Sequence, residues 1–178
     1  RFIFTSFEVN PFVISKDNRF VALDGLAEFR AASEADAWVP RGNAANLDAF
    51  FRPRGVAVVG VSADSSRYSL GRDIAALLHD LGRDDLVLIN PKGGAVRFDG
   101  AVYPLYPSLA DLPAPVELVV YAAPAPSAPD FLRSLAGSKV KAVILIPGVL
   151  ALVPYAEFAR QLREATPPGV RLIGPNCM

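Results

Sequence analysis

The chain has 178 residues, of which 52% are hydrophobic, and its 18 basic side chains are balanced by 18 acidic ones. A net charge of zero argues against a nucleic-acid binder, whose surface would be basic, and no apolar run approaches the roughly 20 residues of a membrane-spanning helix. The single cysteine excludes an internal disulfide, which favours a reducing, cytoplasmic setting.

The first thirty residues predict two short strands. The stretches "FIFTSFEVNPFVI" and "RFVALDG" are rich in β-branched and aromatic residues, and the "KDN" between them is typical of a turn. A lone hairpin of this size is marginal in water, so we expect it to need a partner surface.

Residues 31–48 predict a linker, because they are rich in alanine and polar residues and contain Pro40 and Gly42. A short helix from Asn46 to Phe51 follows, with Asn46 as its predicted N-cap. The predicted organisation is therefore an N-terminal strand piece at 1–30, a linker at 31–48 and a main domain at 49–178.

The main domain alternates between apolar strands and amphipathic segments. Its five predicted strands begin at residues 56, 86, 116, 141 and 170. Strands separated by helices of about 10–15 residues indicate βαβ units, and hence an α/β, Rossmann-like fold with a parallel sheet and flanking helices.

Three helices are predicted from apolar residues spaced three or four positions apart. The first carries Ile74, Leu77, Leu78 and Leu81 and ends at Gly82, the second begins at Ser127 and carries Phe131, Leu132 and Leu135, and the third begins at Pro154 and carries Tyr155, Phe158 and Leu162. We expect Gly82 to be a C-cap and Ser127 an N-cap. His79, the single histidine, is predicted to lie mid-helix in a packing or surface role.

Polar and turn-forming residues follow every predicted strand, and in an open α/β sheet the ligand binds outside these carboxyl ends. We call these segments the rim: residues 60–67, 90–94, 123–127, 147–149 and 174–177. The rim has no histidine and no pair of carboxylates for acid–base chemistry. It has hydroxyls at Ser62, Ser65 and Ser66, charges at Arg67 and Lys92, and a following helix N-terminus that favours anions. The rim therefore predicts a holder for a phosphorylated ligand and no catalytic residue.

The residues of the rim bear on which ligand this is. An NAD site would show three close glycines and an acidic residue after the second strand, whereas Gly60 stands alone and the second strand ends in Asn90-Pro91-Lys92. A lysine there suits a phosphorylated ribose, as in NADP or coenzyme A (CoA). Coenzyme A is favoured because the first loop lacks the close-approach glycines of an NADP site.

At this point a family resemblance emerges. The series "RPRGVAVVGVSADSSRYSLGRDI", "VLINPKGG", "VELVVYAAPAP", "KAVILIPG" and "RLIGPNC" resembles the CoA-binding domain of NDP-forming acyl-CoA synthetases, the family of succinyl-CoA ligase α subunits and ADP-forming acetyl-CoA synthetases. The resemblance runs from about Leu47 to the end. It implies CoA contacts at Gly60, Ser62, Asp64, Ser65, Arg67, Lys92, Pro124, Ala125, Pro126, Ile146, Pro147, Gly148 and Asn176.

The N-terminal piece resembles the closing strands of the ATP-grasp domain in the β subunit of the same family, through "EVNP" at residues 8–11 and "LDG" at 23–25. The resemblance implies that Asn10 and Asp24 hold the Mg²⁺ of bound ATP, with Glu8 nearby. Such oxygen ligands suit a hard cation. This half-site would not bind ATP alone.

Together the two resemblances imply a fused synthetase that converts a small carboxylic acid, CoA and ATP into acyl-CoA, ADP and phosphate. The phosphohistidine of that reaction would lie in a further domain, so the chain's partners would be the remaining synthetase domains. An NADP-binding dehydrogenase module and a non-catalytic CoA- or nucleotide-sensing domain stay open as alternatives. The acyl substrate, ATP against GTP, and a homo-oligomer are also left open.

Overall fold

The computed structural model describes residues 2–9, 12–17, 19–33, 47–148 and 153–177. The chain divides into two compact units, Arg1–Asn43 and Ala44–Met178. Within the described ranges, every helix is too short or too polar to cross a bilayer.

The first unit contains four strands: β1 (Phe2–Val9), β2 (Phe12–Ile14), β3 (Phe20–Ala22) and β4 (Gly25–Ala31). β1 pairs with β4 and β2 pairs with β3, both antiparallel. The prediction of two strands was therefore too coarse, because each of them is divided. In the sequence, Pro11 falls between β1 and β2, although it lies outside the described residues. A proline has no N–H to donate to the hydrogen bonds between strands.

Aromatic side chains of β1 and β4 remain exposed within the first unit. Phe2 and Phe4 each meet Phe29 edge to face, with ring centroids 5.6 and 6.3 Å apart. All three rings, and Phe7, keep more than half of their surface in contact with solvent. This is the unpartnered apolar surface that the sequence predicted for a small hairpin.

The second unit is a seven-stranded sheet with helices on both faces, which confirms the predicted α/β, Rossmann-like fold. Its elements are α1 (Asp48–Phe51), β5 (Val56–Val59), α2 (Leu70–Asp80), β6 (Leu86–Ile89), β7 (Ala95–Phe98), β8 (Ala101–Tyr106), β9 (Leu118–Tyr121), α3 (Ala128–Ser134), β10 (Ala142–Leu145), α4 (Tyr155–Ala165) and β11 (Arg171–Ile173). The strand order is β11-β10-β9-β5-β6-β8-β7. Only β7 runs antiparallel to its neighbour within this sheet.

All five predicted strands are present, but the β7–β8 hairpin was not predicted. Its turn is Asp99-Gly100, and both residues have positive φ, 44° and 87°. An Asp-Gly pair with these angles is the usual two-residue hairpin turn. Val96 is buried between the exposed Ala95 and Arg97, and Leu105 is buried in β8, so this edge of the sheet is covered on one side.

The central strands are buried on both faces, which explains their continuous apolar sequence. In β5, Val56 and Val58 face one core and Ala57 and Val59 face the other. α1 and α2 cover the first core and α3 and α4 cover the second. The sheet is thus fixed from both sides, and its strand ends are free to carry loops.

The predicted apolar face of α2 is partly wrong. The predicted Ile74 and Leu78 pack against the core beside the buried Gly71 and Ala75, whereas Leu77 is 63% exposed and Leu81 is 78% exposed. The small residues let the helix axis lie close to β5, and Leu77 and Leu81 lie on the side away from the core. Gly82 follows the helix at φ 76°, as the C-cap prediction required.

Three other helix predictions need correction. α1 begins at Asp48 after Leu47, which makes no side-chain capping bond, and Asn46 lies outside the described residues. His79 lies in the last turn of α2 and not at its middle. In α4, Phe158 and Leu162 are buried, but Tyr155 is exposed because it begins the helix at the edge of the domain.

Candidate functional site

The described loops of the rim form one continuous edge. Backbone hydrogen bonds join neighbouring strand ends where these loops begin: the N–H of Gly60 donates to Ile89 (3.0 Å), that of Ala122 to Val59 (2.9 Å), that of Ile146 to Tyr121 (3.0 Å) and that of Asn176 to Pro147 (3.1 Å). From the loop after β6 to the loop after β11 there are four strand spacings, or roughly 19 Å. An elongated ligand could therefore contact several loops at once.

The crevice of this edge lies between β5 and β9, where the order in which the chain adds strands to the sheet reverses. β5 pairs with β6 on one side and with β9 on the other. At this place Gly60 has φ 94°, and a Cβ there would lie 2.6 Å from the backbone nitrogen of Ala123. Gly60 is thus required both by the turn and by the close approach of two rim loops.

Gly71 is a second close-approach glycine that the sequence analysis missed. A Cβ at Gly71 would lie 2.7 Å from the carbonyl oxygen of Gly60, so α2 packs directly on the turn after β5. In the dinucleotide fingerprint the third glycine has this role. Here the two glycines are eleven positions apart in sequence, and no short motif reveals them.

The N-cap of α2 is Ser69. Ser69 is buried, and its Oγ accepts hydrogen bonds from the N–H groups of Arg72 (3.3 Å) and Ser62 (3.2 Å). Ser62 instead uses its Oγ to accept from the N–H of Asp64 (3.2 Å). One buried serine therefore fixes both the start of the helix and the start of the loop.

Asp64 organises the middle of this loop. Its carboxylate accepts from the hydroxyl of Ser66 (2.6 Å) and from the Ser66 N–H (2.9 Å). These bonds, the hydroxyl bond first, lower the pKa of Asp64. The side chains of Ser65 and Arg67 are exposed, and neither makes a hydrogen bond to the described residues, so both are available to a ligand.

Asn90 connects the loops after β5 and β6. Its Nδ2 donates to the Val61 carbonyl (2.6 Å), and its Oδ1 accepts from the Lys92 N–H (2.9 Å). Lys92 is exposed, and its ammonium group has no ion-pair partner among the described residues. Asn90 therefore fixes the backbone of Lys92 relative to the loop after β5.

The turn after β9 is held by a buried tyrosine. The Tyr121 hydroxyl lies 2.7 Å from Ser127 Oγ and donates to the Pro124 carbonyl (3.2 Å), and burial raises the pKa of Tyr121. Ser127 is the N-cap residue of α3, as predicted, but its side chain makes no capping hydrogen bond. The predicted contact residues Pro124, Ala125 and Pro126 all lie in this turn.

The last two predicted contact segments lie side by side. Asn176 has φ 61°, its N–H donates to Pro147 (3.1 Å), and its Oδ1 would lie 3.4 Å from a Cβ at Gly148. Ile146 donates to β9 through its N–H. Val149 lies outside the described residues. The described part of the rim therefore contains every predicted CoA-contact residue or borders it.

Among the described residues, cavities of about 260 to 530 Å³ lie at the opposite, amino edge of the sheet, and no rim residue lines them. Their walls are turns that precede strands, such as residues 53–55 and 113–116. The rim stays the candidate ligand site, because strand ends and loop donors converge there. His79 lies away from the rim, with Nδ1 2.8 Å from the Tyr103 hydroxyl, which is a packing environment.

For the predicted metal ligands, Asn10 lies outside the described residues. Asp24 is exposed, and its Oδ1 accepts from the Gly25 N–H (2.8 Å). Because Val9 pairs with Gly25, Asp24 lies next to the end of β1. One carboxylate oxygen remains without a hydrogen bond to the described residues, which suits a hard cation.

Comparison with known proteins identifies the family. The family model of a CoA binding domain matches residues 54–178, and the chain belongs to this family. A curated relative is the α subunit of ADP-forming acetate–CoA ligase I from Pyrococcus furiosus, 30% identical over 135 residues, which are 74% of this chain and 29% of the relative. The ADP-forming acetate–CoA ligase I of Archaeoglobus fulgidus is 28% identical over 135 residues, 74% of this chain and 19% of the relative.

A solved structure shows the same relationship. The dinucleotide-forming acetyl-coenzyme A synthetase 1 of Ca. Korarchaeum cryptofilum, in complex with phosphate and ADP, matches with a TM-score of 0.59 and 27% identity, over 73% of this chain and 27% of that one. The chain is therefore a CoA-binding domain similar to ADP-forming acetate–CoA ligases, and the NADP alternative is not favoured. It spans 19% to 29% of the length of the two curated relatives.

Proposed function

We propose that this chain is the CoA-holding part of an ADP-forming acyl-CoA synthetase, which converts a small carboxylic acid, CoA and ATP into acyl-CoA, ADP and phosphate. The observation that carries the proposal is the rim itself. Its loops follow neighbouring strand ends that are joined by backbone hydrogen bonds, Gly60 and Gly71 allow close backbone approach at the crevice, and the loops after β5 and β6 carry the exposed cations Arg67 and Lys92. The printed names of the curated relatives support the reaction class.

The work of this chain is to bind and orient. Lys92 and Arg67 would pair with phosphate groups of CoA, and Gly60 would let the ligand approach the backbone. The turn at Pro124–Pro126 and the segments Ile146–Gly148 and Asn176 would contact the ligand farther along the edge. The described rim contains no histidine and no second carboxylate beside Asp64, so the bond-forming steps belong to other synthetase domains, the partners that we propose.

We also propose that Asn10 and Asp24 hold the Mg²⁺ of bound ATP in the intact synthetase. The exposed Asp24 carboxylate, beside the end of β1, supports this. When bound, the metal would neutralise charge on the nucleotide phosphates. This chain's contribution would be two oxygen ligands.

Calorimetric titration of the chain with CoA, dephospho-CoA and NADPH tests the proposal. CoA should bind, dephospho-CoA should bind more weakly because it lacks the phosphate that pairs with Lys92 or Arg67, and NADPH should neither bind nor displace CoA. Absence of CoA binding would overturn the proposed function. Binding of NADPH that excludes CoA would restore the dehydrogenase alternative.

A further inference from the structure

Arg72 occupies an electrostatically unfavourable place and makes an unusual set of contacts. It lies in the first turn of α2, where the helix dipole disfavours a cation. Its guanidinium turns away from the helix to the preceding loop: Nε donates to the Ser62 carbonyl (3.1 Å), Nη1 to the Arg67 carbonyl (3.5 Å), and Nη2 to the carbonyls of Ser62 and Asp64.

These contacts fix the loop by its backbone. An arginine has five N–H donors in a planar fork, and four of them here are used on carbonyls at the beginning, middle and end of residues 62–67. The loop carbonyls are therefore drawn toward Arg72. The backbone N–H groups of Ala63, Ser65 and Arg67 have no acceptor among the described residues, so they remain available to an anion.

We propose that Arg72 is the positioning residue of the CoA-binding loop: it holds residues 62–67 in the shape that accepts CoA, and it acts through the loop carbonyls without contacting the ligand. The inference deepens the proposed function and rests on it, because it presumes that CoA occupies this loop. Nothing in a one-dimensional motif marks Arg72 for this role. The role is inferred from the convergence of one side chain on three carbonyls.

The first test compares Arg72→Met and Arg72→Lys with Arg160→Met. Arg160 is a matched control, since it is an exposed arginine whose contacts are Glu157 and Glu164 within α4. We expect the Kd of CoA to rise about tenfold or more in Arg72→Met, a loss of roughly 1.4 kcal/mol, and to change little in the control. Arg72→Lys should restore part of the affinity, because an ammonium group can satisfy some of the carbonyls.

The ligand series separates positioning from direct contact. A released loop loses contacts to every part of the ligand that it touches, so Arg72→Met should weaken the binding of dephospho-CoA as well as that of CoA. If only CoA is weakened, Arg72 binds the 3′-phosphate itself and the positioning role is overturned.

A second readout needs no ligand. The bond between Arg67 and Tyr68 is a trypsin site inside the loop, and both residues are exposed. We expect trypsin to cut this bond faster in Arg72→Met than in the unaltered chain or in Arg160→Met, while the thermal midpoints stay close. Equal cleavage rates together with equal Kd values would overturn the inference.

The outcomes distinguish the two proposals. If the unaltered chain does not bind CoA, both fall. If it binds CoA and Arg72→Met binds equally well, the positioning role falls and the proposed function stands. If Arg72→Met fails to fold, the folded Arg72→Lys variant decides by the same two measurements.

Discussion

Gly60 and Ala123 belong to different loops, yet their backbones approach so closely that a Cβ on Gly60 would lie 2.6 Å from the Ala123 nitrogen. The first loop comes from β5 and the second from β9, the two strands that flank the crevice of the sheet. Any side chain at position 60 must push these loops apart. The contact between Gly60 and Ala123 therefore links the stability of the domain to the geometry of the rim.

Substitution of Gly60 should be far more damaging than substitution of a glycine with similar torsion angles in open space. Gly82 has φ 76° and nothing within 4 Å of its missing Cβ, whereas Gly60 has φ 94° and a crowded position. We expect Gly82→Ala to cost about 1 kcal/mol from backbone strain alone and Gly60→Ala about 3 kcal/mol or more. Urea unfolding measures both, and equal losses would show that the close approach is unimportant.

Lys92 should discriminate between CoA and dephospho-CoA. Because Lys92 is exposed and has no ion-pair partner among the described residues, Lys92→Ala should leave the fold unchanged. We expect CoA affinity to fall about tenfold, as for one charged hydrogen bond, with dephospho-CoA unaffected. Lys139→Ala, at the amino edge, is the control. A parallel loss for both ligands would remove Lys92 from phosphate recognition.

The hydroxyl of Tyr121 should be coupled energetically to that of Ser127. They lie 2.7 Å apart in a turn that also includes the Pro124 carbonyl. Tyr121→Phe and Ser127→Ala should each cost about 1 kcal/mol, and the double variant should cost less than their sum. Denaturant unfolding of the cycle checks this, with the exposed Tyr155→Phe as a neutral control. Strict additivity would contradict the coupling.

Asp85 should make stability depend on pH at the start of β5. Its carboxylate accepts from Arg83 and from the Gly55 N–H (2.7 Å), and the Arg83 bond is the main cause that lowers its pKa below 3.8. The unfolded state therefore binds this proton more readily, so the contribution is complete above about pH 5 and disappears as pH falls through the folded-state pKa.

For the same residue, Asp85→Asn should cost about 1 kcal/mol near neutral pH, a modest value because the pair is partly exposed. The variant should also show a weaker dependence on pH between about 5 and 3. Urea unfolding at several pH values, with Asp84→Asn as the neighbouring control, measures this difference. Identical pH profiles for Asp85→Asn and the unaltered chain would disprove the assignment.

The strands of the central sheet could be predicted from sequence because double burial leaves an apolar run that few other structures produce. The β7–β8 hairpin was missed although Asp99-Gly100 is a strong turn pair, because its strands are short and one contains Pro104. Of the predicted face of α2, Ile74 and Leu78 contact the core, but Leu77 and Leu81 are exposed, and the fully buried residues are Gly71 and Ala75. The spacing of apolar residues predicts which side of a helix faces the core. The distance between the helix and the sheet decides which side chains contact the core.

The edge of the candidate site could also be predicted, since strand ends of a parallel sheet share one side. The residues that shape it could not. Gly71, Arg72 and Asn90 act on atoms distant in sequence, namely the carbonyls of Gly60, Ser62 and Val61. Each is an ordinary residue in its own segment. Their roles depend on how α2 and the loop after β6 are brought against the turn after β5.

The strand order also sets the time at which this edge can exist during synthesis. Val56 pairs with Leu86 of β6 and with Leu118 of β9. During synthesis β5 can pair with β6 early, whereas β9 emerges from the ribosome much later. A nascent chain that ends before Leu118 has the loop of Gly60 without the backbone of Ala123 against it. The chain should therefore bind coenzyme A only after β9 has been translated and has paired with β5. Binding is then a late event in the folding of the domain.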